Sequence, residues 1–347
     1  MNRQPLLSIC IPTFNRAQLL DVCLASVLPQ IDQSSDEIEC IVSDNASTDA
    51  TQAVLNRYLQ QFKFRVFRND TNLGIIGNIT KVVVERACGE YAWLLGDDDV
   101  LTDGAVHRVR KLLLSAPEID IVGLNVAYTH SSDRPTARLA LGGVTKIPEK
   151  RLLKATVSGI MPFEKLLEGP CADFTAMYSL VLRRRLWLAE YATASTAEPF
   201  SSVESTYPHA VIVAKHLPGK MSGLIAEPAV VIYEIPSEHF SWAKHRALSV
   251  LVYSTQLLKM YEAHGVAHTA IAPYYRYQLE HRSGELGDLM FNRNTAGGYR
   301  AALQFAWMLK RYPRLLLRAF LIAFTHPQAP RVIAAPLRTL RRLKQGS

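Results

Sequence analysis

The sequence predicts an α/β fold in which helices flank a mainly parallel sheet and a helical extension follows at the C-terminus. Three observations lead to this prediction. Short apolar runs alternate with amphipathic segments over residues 1–130, the alternation stops across residues 131–245, and helical periodicity returns over residues 246–347. We expect these three parts to be separate regions of the fold, with the boundaries near residues 130 and 245. A composition of 48% hydrophobic and 20% charged residues is typical of a globular protein.

The alternation can be followed element by element. Strands are expected at residues 6–12, 37–44, 64–67, 91–95 and 119–128. Helices are expected at residues 17–28, after a cap at 48 or 49 to about 62, at 76–87 and from 103. Because strands and helices alternate, successive strands should run parallel, with helices on both faces of the sheet.

Polar segments follow four of the predicted strands. They are residues 13–16 (TFNR), 44–49 (DNASTD), 69–74 (NDTNLG) and 96–99 (GDDD). In open α/β sheets, ligands bind beyond the carboxyl ends of the strands. We therefore expect these four segments to meet at one edge and to form a binding site.

Three successive aspartates, Asp97, Asp98 and Asp99, come directly after an apolar strand. Their carboxylates repel one another, and a hard divalent cation such as Mn²⁺ or Mg²⁺ would relieve that repulsion. Such a cation could neutralise a diphosphate leaving group. A helix N-terminus would explain one aspartate here, but not three in succession.

The other strand ends are less specific when each is taken alone. Asp44 could accept a hydrogen bond from a nucleobase or a ribose, or it could be a turn residue. Thr13 and Asn15 could contact a nucleotide, and Arg16 could meet a phosphate. The polar turn at residues 72–78 enters a helix, where backbone N–H groups favour anions, although a simple turn fits equally well.

Taken together, these segments resemble a known family. The motifs CIPTFNR (10–16), SDNASTD (43–49), NLG (72–74) and GDDDVL (96–101) have the order and spacing found in family 2 glycosyltransferases of the GT-A fold. The resemblance implies a Rossmann-like sheet, a nucleotide-diphospho-sugar donor and assistance by Mn²⁺ or Mg²⁺. It also implies that residues 1–130 are a nucleotide-sugar-binding half and residues 131–245 an acceptor-binding half, followed by the basic helical region at 246–347.

The resemblance also implies roles for individual residues. The donor would be bound by Pro12, Thr13, Asn15, Arg16, Asp44, Asn72, Gly74, Asn78 and Asp97. The metal would be held by Asp98, with Asp97 or Asp99 assisting. Two positions depart from the family pattern: Ala46 stands where glycine is usual, and Gly96 stands where the first aspartate of Asp-x-Asp-Asp is usual.

The second half carries a more distant resemblance. Residues 205–209 (STYPH) are similar to a segment of abequosyltransferase-like members, which act in O-antigen assembly. Inverting transfer needs a base to take the proton of the acceptor hydroxyl. Many relatives have an acidic pair here, whereas this chain has Glu204 alone, so the candidate bases are Glu204, His209 and Asp173. Glu204 could instead be a helix N-terminal charge, and His209 a structural polar contact.

The basic character of the chain is concentrated at its C-terminal end. Residues 289–347 contain 11 Lys and Arg and no Asp or Glu, against a net charge of +8 for the whole chain. In residues 310–321 (KRYPRLLLRAFL) and 338–344 (RTLRRLK), basic and apolar residues interleave. This pattern is typical of amphipathic helices on anionic membranes, although a solvated helix would also fit. No nucleic-acid-binding fold is recognisable, so we expect no nucleic-acid partner.

The sequence contains neither a recognisable secretory signal nor an apolar stretch of membrane-spanning length. We therefore expect a cytoplasmic protein, and the basic C-terminal segments would hold it at the inner face of the plasma membrane. The resemblance implies transfer of a sugar to a hydroxyl of a lipid-linked saccharide in bacterial surface polysaccharide synthesis.

Two alternatives stay open. A sugar-1-phosphate nucleotidyltransferase would need a glycine-rich loop containing arginine after the first strand, where residues 12–15 read PTFN. A non-catalytic membrane-bound scaffold would explain the missing acidic pair. A dehydrogenase is disfavoured because no GxGxxG motif follows a strand.

Overall fold

The structure, a computed structural model, describes residues 4–151, 156–167, 174–234 and 243–330. The chain divides into two compact units. The first comprises Met1–Leu166, Phe174–Pro199 and Tyr207–Ile235, and the second comprises Leu167–Asp173, Phe200–Thr206 and Pro236–Ser347. The division of the sequence at residues 130 and 245 stays a prediction.

A nine-stranded sheet forms the centre of the first unit within the described residues. Its strands are β1 (Leu7–Thr13), β2 (Ile38–Asp44), β3 (Arg65–Arg68), β4 (Tyr91–Leu94), β5 (Val100–Leu101), β6 (Ile121–His130), β7 (Gly159–Pro162), β8 (Leu180–Arg183) and β9 (Met221–Glu234). Their order is β3-β2-β1-β4-β8-β6-β9-β5, with β7 also paired to β9.

The direction of pairing changes across this sheet. Strands β3, β2, β1 and β4 are parallel, as predicted from the alternating N-terminal sequence. Strand β8 runs antiparallel between β4 and β6, and β5 and β7 run antiparallel to β9. The long β6–β9 pair is parallel again. The predicted α/β class is confirmed, and parallel pairs have the longest registers, but the antiparallel part was not foreseen.

Helices pack against the sheet of the first unit. They are α1 (Ala17–Val27), α2 (Thr51–Leu59), α3 (Gly74–Lys81), α4 (Ala105–Ser115), α5 (Phe163–Leu166), α6 (Arg184–Glu190) and α7 (Pro208–His216). Asp49 lies just before α2, where a capping residue was expected, and its Oδ1 accepts a hydrogen bond from the Thr51 amide at 3.0 Å. The other carboxylate oxygen of Asp49 accepts a hydrogen bond from the Ala17 amide at 3.0 Å. Asp49 therefore accepts hydrogen bonds from the first residues of both α1 and α2.

Burial explains why β4 is a continuous apolar run. All of Tyr91–Leu94 is buried, as expected for a strand covered on both faces. The indole of Trp93 donates a hydrogen bond to the Tyr178 carbonyl at 3.0 Å, so the core also satisfies its polar group. The chain turns directly from this rigid strand into the aspartate segment.

The second unit is helical in its described part. It contains a wide helical turn at Leu248–Tyr253 and the helices α8 (Ser254–Ala263), α9 (His268–His281), α10 (Ser283–Phe291), α11 (Gly298–Met308) and α12 (Pro313–Ala323). The predicted C-terminal helical extension is thus confirmed, while residues 338–344 lie outside the described part. Among the described residues, no helix combines the length and the apolar character needed to cross a bilayer.

Candidate functional site

The carboxyl ends of β1, β2 and β4 meet at one edge of the sheet. Thr13 and Asp44 are register partners at the ends of β1 and β2. The Thr13 hydroxyl donates a hydrogen bond to Oδ2 of Asp97 at 2.7 Å, and the amide of Asn15 donates one to the Ser47 hydroxyl at 2.9 Å. The first, second and fourth predicted polar segments are therefore in direct contact.

Asp97 is a buried acid held by two donors. Besides the Thr13 hydroxyl, Nη1 of Arg16 lies 2.7 Å from Asp97 Oδ1. Burial raises the pKa of Asp97 to about 6, although the Arg16 charge opposes this rise. Arg16 therefore stabilises the ionised form of Asp97, which burial disfavours.

Asp99 is the second buried acid, and it explains why position 96 is glycine. Its Oδ2 accepts a hydrogen bond from the Gly96 amide at 2.8 Å. A Cβ atom at position 96 would lie 2.8 Å from Oδ1 of Asp98 and 2.8 Å from Oδ2 of Asp99. Burial, and then the charge of Asp98, raise the pKa of Asp99 well above its usual value.

Asp98 is the most accessible of the three acids, with 24% of its side chain exposed. Its Oδ2 lies 3.2 Å from Nη1 of Arg16, and its carbonyl accepts a hydrogen bond from Nη2 of Arg134 at 2.7 Å. The two other nitrogens of Arg134 are buried and have no hydrogen-bond partner among the described residues. Asp98 is thus the carboxylate best placed to meet a ligand from solvent.

The metal site at Asp98, with Asp97 or Asp99 assisting, stays a prediction. Within the described ranges, no three His, Cys, Asp or Glu side chains are grouped to hold a metal ion, and Arg16 lies against both Asp97 and Asp98. An open site still fits, because Mg²⁺ and Mn²⁺ often take one or two carboxylates together with substrate phosphates. The hard oxygen donors and the raised pKa values of Asp97 and Asp99 suit a cation here.

Asp44 is fully buried and surrounded by donors. Its Oδ1 accepts a hydrogen bond from the Ser47 amide at 2.9 Å, and its Oδ2 accepts bonds from Gln52 Nε2 and Arg68 Nη1, both at 2.6 Å. Sequence reasoning missed Gln52 and Arg68. Arg68 ends β3 in register with Asp44, a pairing that no local pattern of the sequence shows.

Two residues with left-handed backbone conformation shape the loops after β1 and β2. Asn15 has φ of 53°, and its Oδ1 accepts a hydrogen bond from the Thr48 amide at 2.7 Å. Ala46 has φ of 64°, a conformation that glycine adopts without steric cost. This geometry explains why glycine is usual at position 46.

Replacing Ala46 with glycine should raise the free energy of unfolding by about 0.5–1 kcal/mol, because the strain at φ of 64° outweighs the added freedom of the unfolded chain. Urea denaturation of both proteins would measure the change. Ala53→Gly is the matched control at an exposed position inside α2 and should instead lower stability by about 1 kcal/mol. Equal losses of stability in the two variants would show that the backbone at Ala46 is not strained.

Asparagine side chains build the turn that enters α3. Oδ1 of Asn72 accepts hydrogen bonds from the Gly74 amide at 2.8 Å and from Asn45 Nδ2 at 2.7 Å. Gly74 has φ of 72°, and a Cβ atom there would lie 3.3 Å from the Pro199 ring. Asn72 and Gly74 therefore shape the turn. Their contact with a nucleotide-sugar stays a prediction.

Asn78 lies beneath this turn and is 2% exposed. Its Nδ2 donates a hydrogen bond to the Ser43 carbonyl at 2.9 Å, and its Oδ1 accepts bonds from the Ser43 hydroxyl at 2.6 Å and from Asn69 Nδ2 at 3.0 Å. The side chain holds β2 to α3 and faces inward. Asn78 could bind a nucleotide-sugar directly only if these hydrogen bonds broke.

The three candidate bases have different environments. His209, in the first unit, is buried, and its Nε2 lies 3.1 Å from the Thr175 carbonyl. Burial lowers the pKa of His209 to about 4, so the ring is neutral near pH 7, and Nε2 must carry the proton that bonds this carbonyl. Glu204 is an exposed residue of the second unit, on a turn that is not part of the first turn of α7. Asp173 lies outside the described residues.

The carboxyl ends of the parallel strands thus carry buried aspartates, one accessible aspartate and two arginines. Two solved glycosyltransferases share the fold of this chain. S. aureus TarS 1-349 in complex with UDP-GlcNAc has a TM-score of 0.53 at 15% identity, covering 98% of this chain and 92% of its own. Mannosyltransferase PcManGT from Pyrobaculum calidifontis, solved with GDP-Man and Mn²⁺, has a TM-score of 0.52 at 17% identity, covering 93% and 87%. This likeness establishes the GT-A fold.

Residues 8–178 match the family model for glycosyl transferase family 2, and the chain belongs to this family. Abequosyltransferase RfbV of Salmonella typhimurium is 28% identical over 239 residues, which are 65% of this chain and 66% of that protein. The GalNAc(5)-diNAcBac-PP-undecaprenol beta-1,3-glucosyltransferase of Campylobacter jejuni is 36% identical over 107 residues, 30% of this chain and 33% of that protein. The chain thus spans less than two thirds of these relatives.

Proposed function

We propose that this protein transfers a sugar from a nucleotide-diphospho-sugar to a hydroxyl of a saccharide acceptor during synthesis of a bacterial surface polysaccharide. The observation that carries the proposal is the accessible Asp98 carboxylate, which lies directly beyond β4 and within 3.2 Å of Arg16. The names of the Salmonella and Campylobacter relatives, an abequosyltransferase and a glucosyltransferase, support this reaction class.

The nucleotide would bind along the ends of β1 and β2. Asp44 is suited to accept an N–H of the base or a ribose hydroxyl, once Gln52 or Arg68 releases its Oδ2. The side chain of Arg68 is 44% exposed and can move into solvent, where it could stack on the base or meet a phosphate. Thr13, Asn15 and the backbone at Pro12 would flank the nucleotide from the β1 side.

The diphosphate would lie at the aspartate segment. Asp98, assisted by Asp99, would hold Mn²⁺ or Mg²⁺, and the ion would supply Lewis-acid stabilisation of the leaving diphosphate. Arg16 would turn from Asp98 toward a phosphate oxygen, which offers it a comparable charge-assisted hydrogen bond. The Mn²⁺ that accompanies GDP-Man in the Pyrobaculum mannosyltransferase supports a cation in this fold.

The base would be Glu204. It is an exposed carboxylate on the turn before α7, and its position matches the segment where relatives have an acidic pair. His209 is less suited because its Nε2 is committed to the Thr175 carbonyl and its pKa is lowered to about 4. Asp173 remains the other carboxylate candidate from the sequence.

The acceptor would be a lipid-linked saccharide, and the protein would act in the cytoplasm at the inner face of the plasma membrane. The undecaprenol in the name of the Campylobacter relative supports a lipid carrier. A basic C-terminal region would favour an anionic membrane surface.

Incubation of the purified protein with several nucleotide-sugars and Mn²⁺ should release free nucleotide slowly from one of them, because water can take the place of the acceptor hydroxyl. Chelation by EDTA should abolish the release, and re-addition of Mn²⁺ should restore it. A thermal-shift panel of the same nucleotides would measure binding separately. Donor binding without release, also in the presence of saccharide acceptors, would favour the non-catalytic scaffold.

A further inference from the structure

Helix α11 carries a stripe of large apolar side chains that face solvent. Tyr299, Leu303 and Trp307 are 54%, 67% and 69% exposed, and they recur every fourth residue. This spacing puts them on one face of the helix. Ala302 and Phe305 are buried on the other side, so α11 packs into the unit without covering its apolar stripe.

Helix α12 repeats the arrangement. Leu317 and Leu321 are 64% and 45% exposed and lie one turn apart, whereas Ala319 and Ala323 are buried. The exposed apolar side chains of both helices are too large and too regular to be scattered surface residues, which indicates an interaction surface.

Positive charge accompanies these side chains. Nζ of Lys310 lies 4.6 Å from the centre of the Trp307 ring, and Arg314 and Arg318 are exposed beside Leu317. Among the described residues, Arg311, Arg314 and Arg318 have no carboxylate partner, and the sequence contains no Asp or Glu after residue 288. The exposed face of each helix therefore combines apolar anchors with cations that lack acidic partners among the described residues.

We propose that the exposed faces of α11 and α12 dock onto an anionic phospholipid bilayer, with Leu303, Trp307, Leu317 and Leu321 entering the interfacial region. Tryptophan and leucine prefer this region, and arginine and lysine reach lipid phosphates from it. A second copy of the chain is a poorer occupant because it would bring like-charged faces together. The inference deepens the proposed function and rests on it, since a protein held in this way would work where lipid-linked acceptors lie.

Vesicle flotation of the full-length protein tests the surface. Vesicles of phosphatidylcholine with about 30 mol% phosphatidylglycerol should bind the protein, and pure phosphatidylcholine should bind it about 10-fold less. The double variant Leu303→Gln/Trp307→Gln should lose about 10-fold in affinity. The matched control Leu139→Gln/Leu141→Gln removes two leucines that are 73% and 55% exposed in the first unit, and it should bind like the parent.

The variant Arg314→Gln/Arg318→Gln should weaken the binding of anionic vesicles by about 10-fold and reduce its sensitivity to salt. Equal binding by the Leu303/Trp307 variant and the control would overturn the proposal. So would a dimer in sedimentation equilibrium that this variant abolishes, without vesicle binding by the parent. Nucleotide binding in the thermal-shift panel should be unchanged in all these variants, so failure of the surface and failure of the proposed transfer give different results.

Discussion

Replacing Asp98 with alanine should lower kcat/KM for sugar transfer by about 10³-fold, equivalent to about 4 kcal/mol of transition-state stabilisation. The reason is that Asp98 is the accessible carboxylate at the end of β4 and the proposed principal ligand of the cation. Steady-state kinetics with a donor identified in the nucleotide panel, together with Mn²⁺ titration, would measure the loss.

The fold should survive this replacement, because the Asp98 side chain is 24% exposed and its ion pair is with the partly exposed Arg16. We expect the free energy of unfolding to change by less than about 1 kcal/mol. Asp103→Ala is the matched control, an exposed aspartate further along the chain, and it should retain the parent activity. An Asp98→Ala enzyme with more than about a tenth of that activity would remove Asp98 from the reaction.

Replacing Glu204 with glutamine should lower kcat by about 10²- to 10⁴-fold while the donor KM changes little, because an amide cannot take the proton of the acceptor hydroxyl. Hydrolysis of the donor without acceptor would fall less, since water can lose its proton to solvent. Kinetics with a saccharide acceptor would measure both rates.

The control for this change is Glu280→Gln, which alters an exposed carboxylate on α9. Asp173→Asn should be made in parallel. If Asp173→Asn loses kcat and Glu204→Gln keeps it, the base is Asp173. If neither variant loses activity while His209→Gln does, the buried histidine acts despite its lowered pKa.

The first half of the fold was predictable because its signals are local. An apolar run such as residues 91–95 shows a buried strand by itself, and the polar segments that follow successive strands lie at one edge of any parallel sheet. The second half depends on distant pairing. Strand β8 has four residues, and the register of β9 against β6 shifts between Ile225 and Val230, around Pro228. No local sequence pattern indicates the short strand β8 or the register shift of β9.

The sequence indicated which residues lie at the candidate site, but not which side chains are hydrogen-bonded to each other there. Asp44 and the three successive aspartates stand out as polar groups after apolar strands. The bond from Arg68 to Asp44 joins side chains 24 positions apart, and the bond from Arg16 to Asp97 joins side chains 81 positions apart. Neither pairing can be read from local spacing, because each depends on the sheet register and on the rotamers of long side chains. The inward position of Asn78 likewise follows from its packing beneath β2.

Gly96 should not tolerate replacement by the aspartate that the motif usually has at this position. The Asp-x-Asp-Asp motif that this segment resembles begins with an aspartate at this position, yet here carboxylate oxygens lie 2.8 Å from where a Cβ would be. Introducing the commoner residue would bring a fourth acid against two others and displace the bond between the Gly96 amide and Asp99. We therefore expect substitutions at positions 96, 98 and 99 to be epistatic. Grafting this segment between family members should succeed only when residues 96–99 are exchanged together.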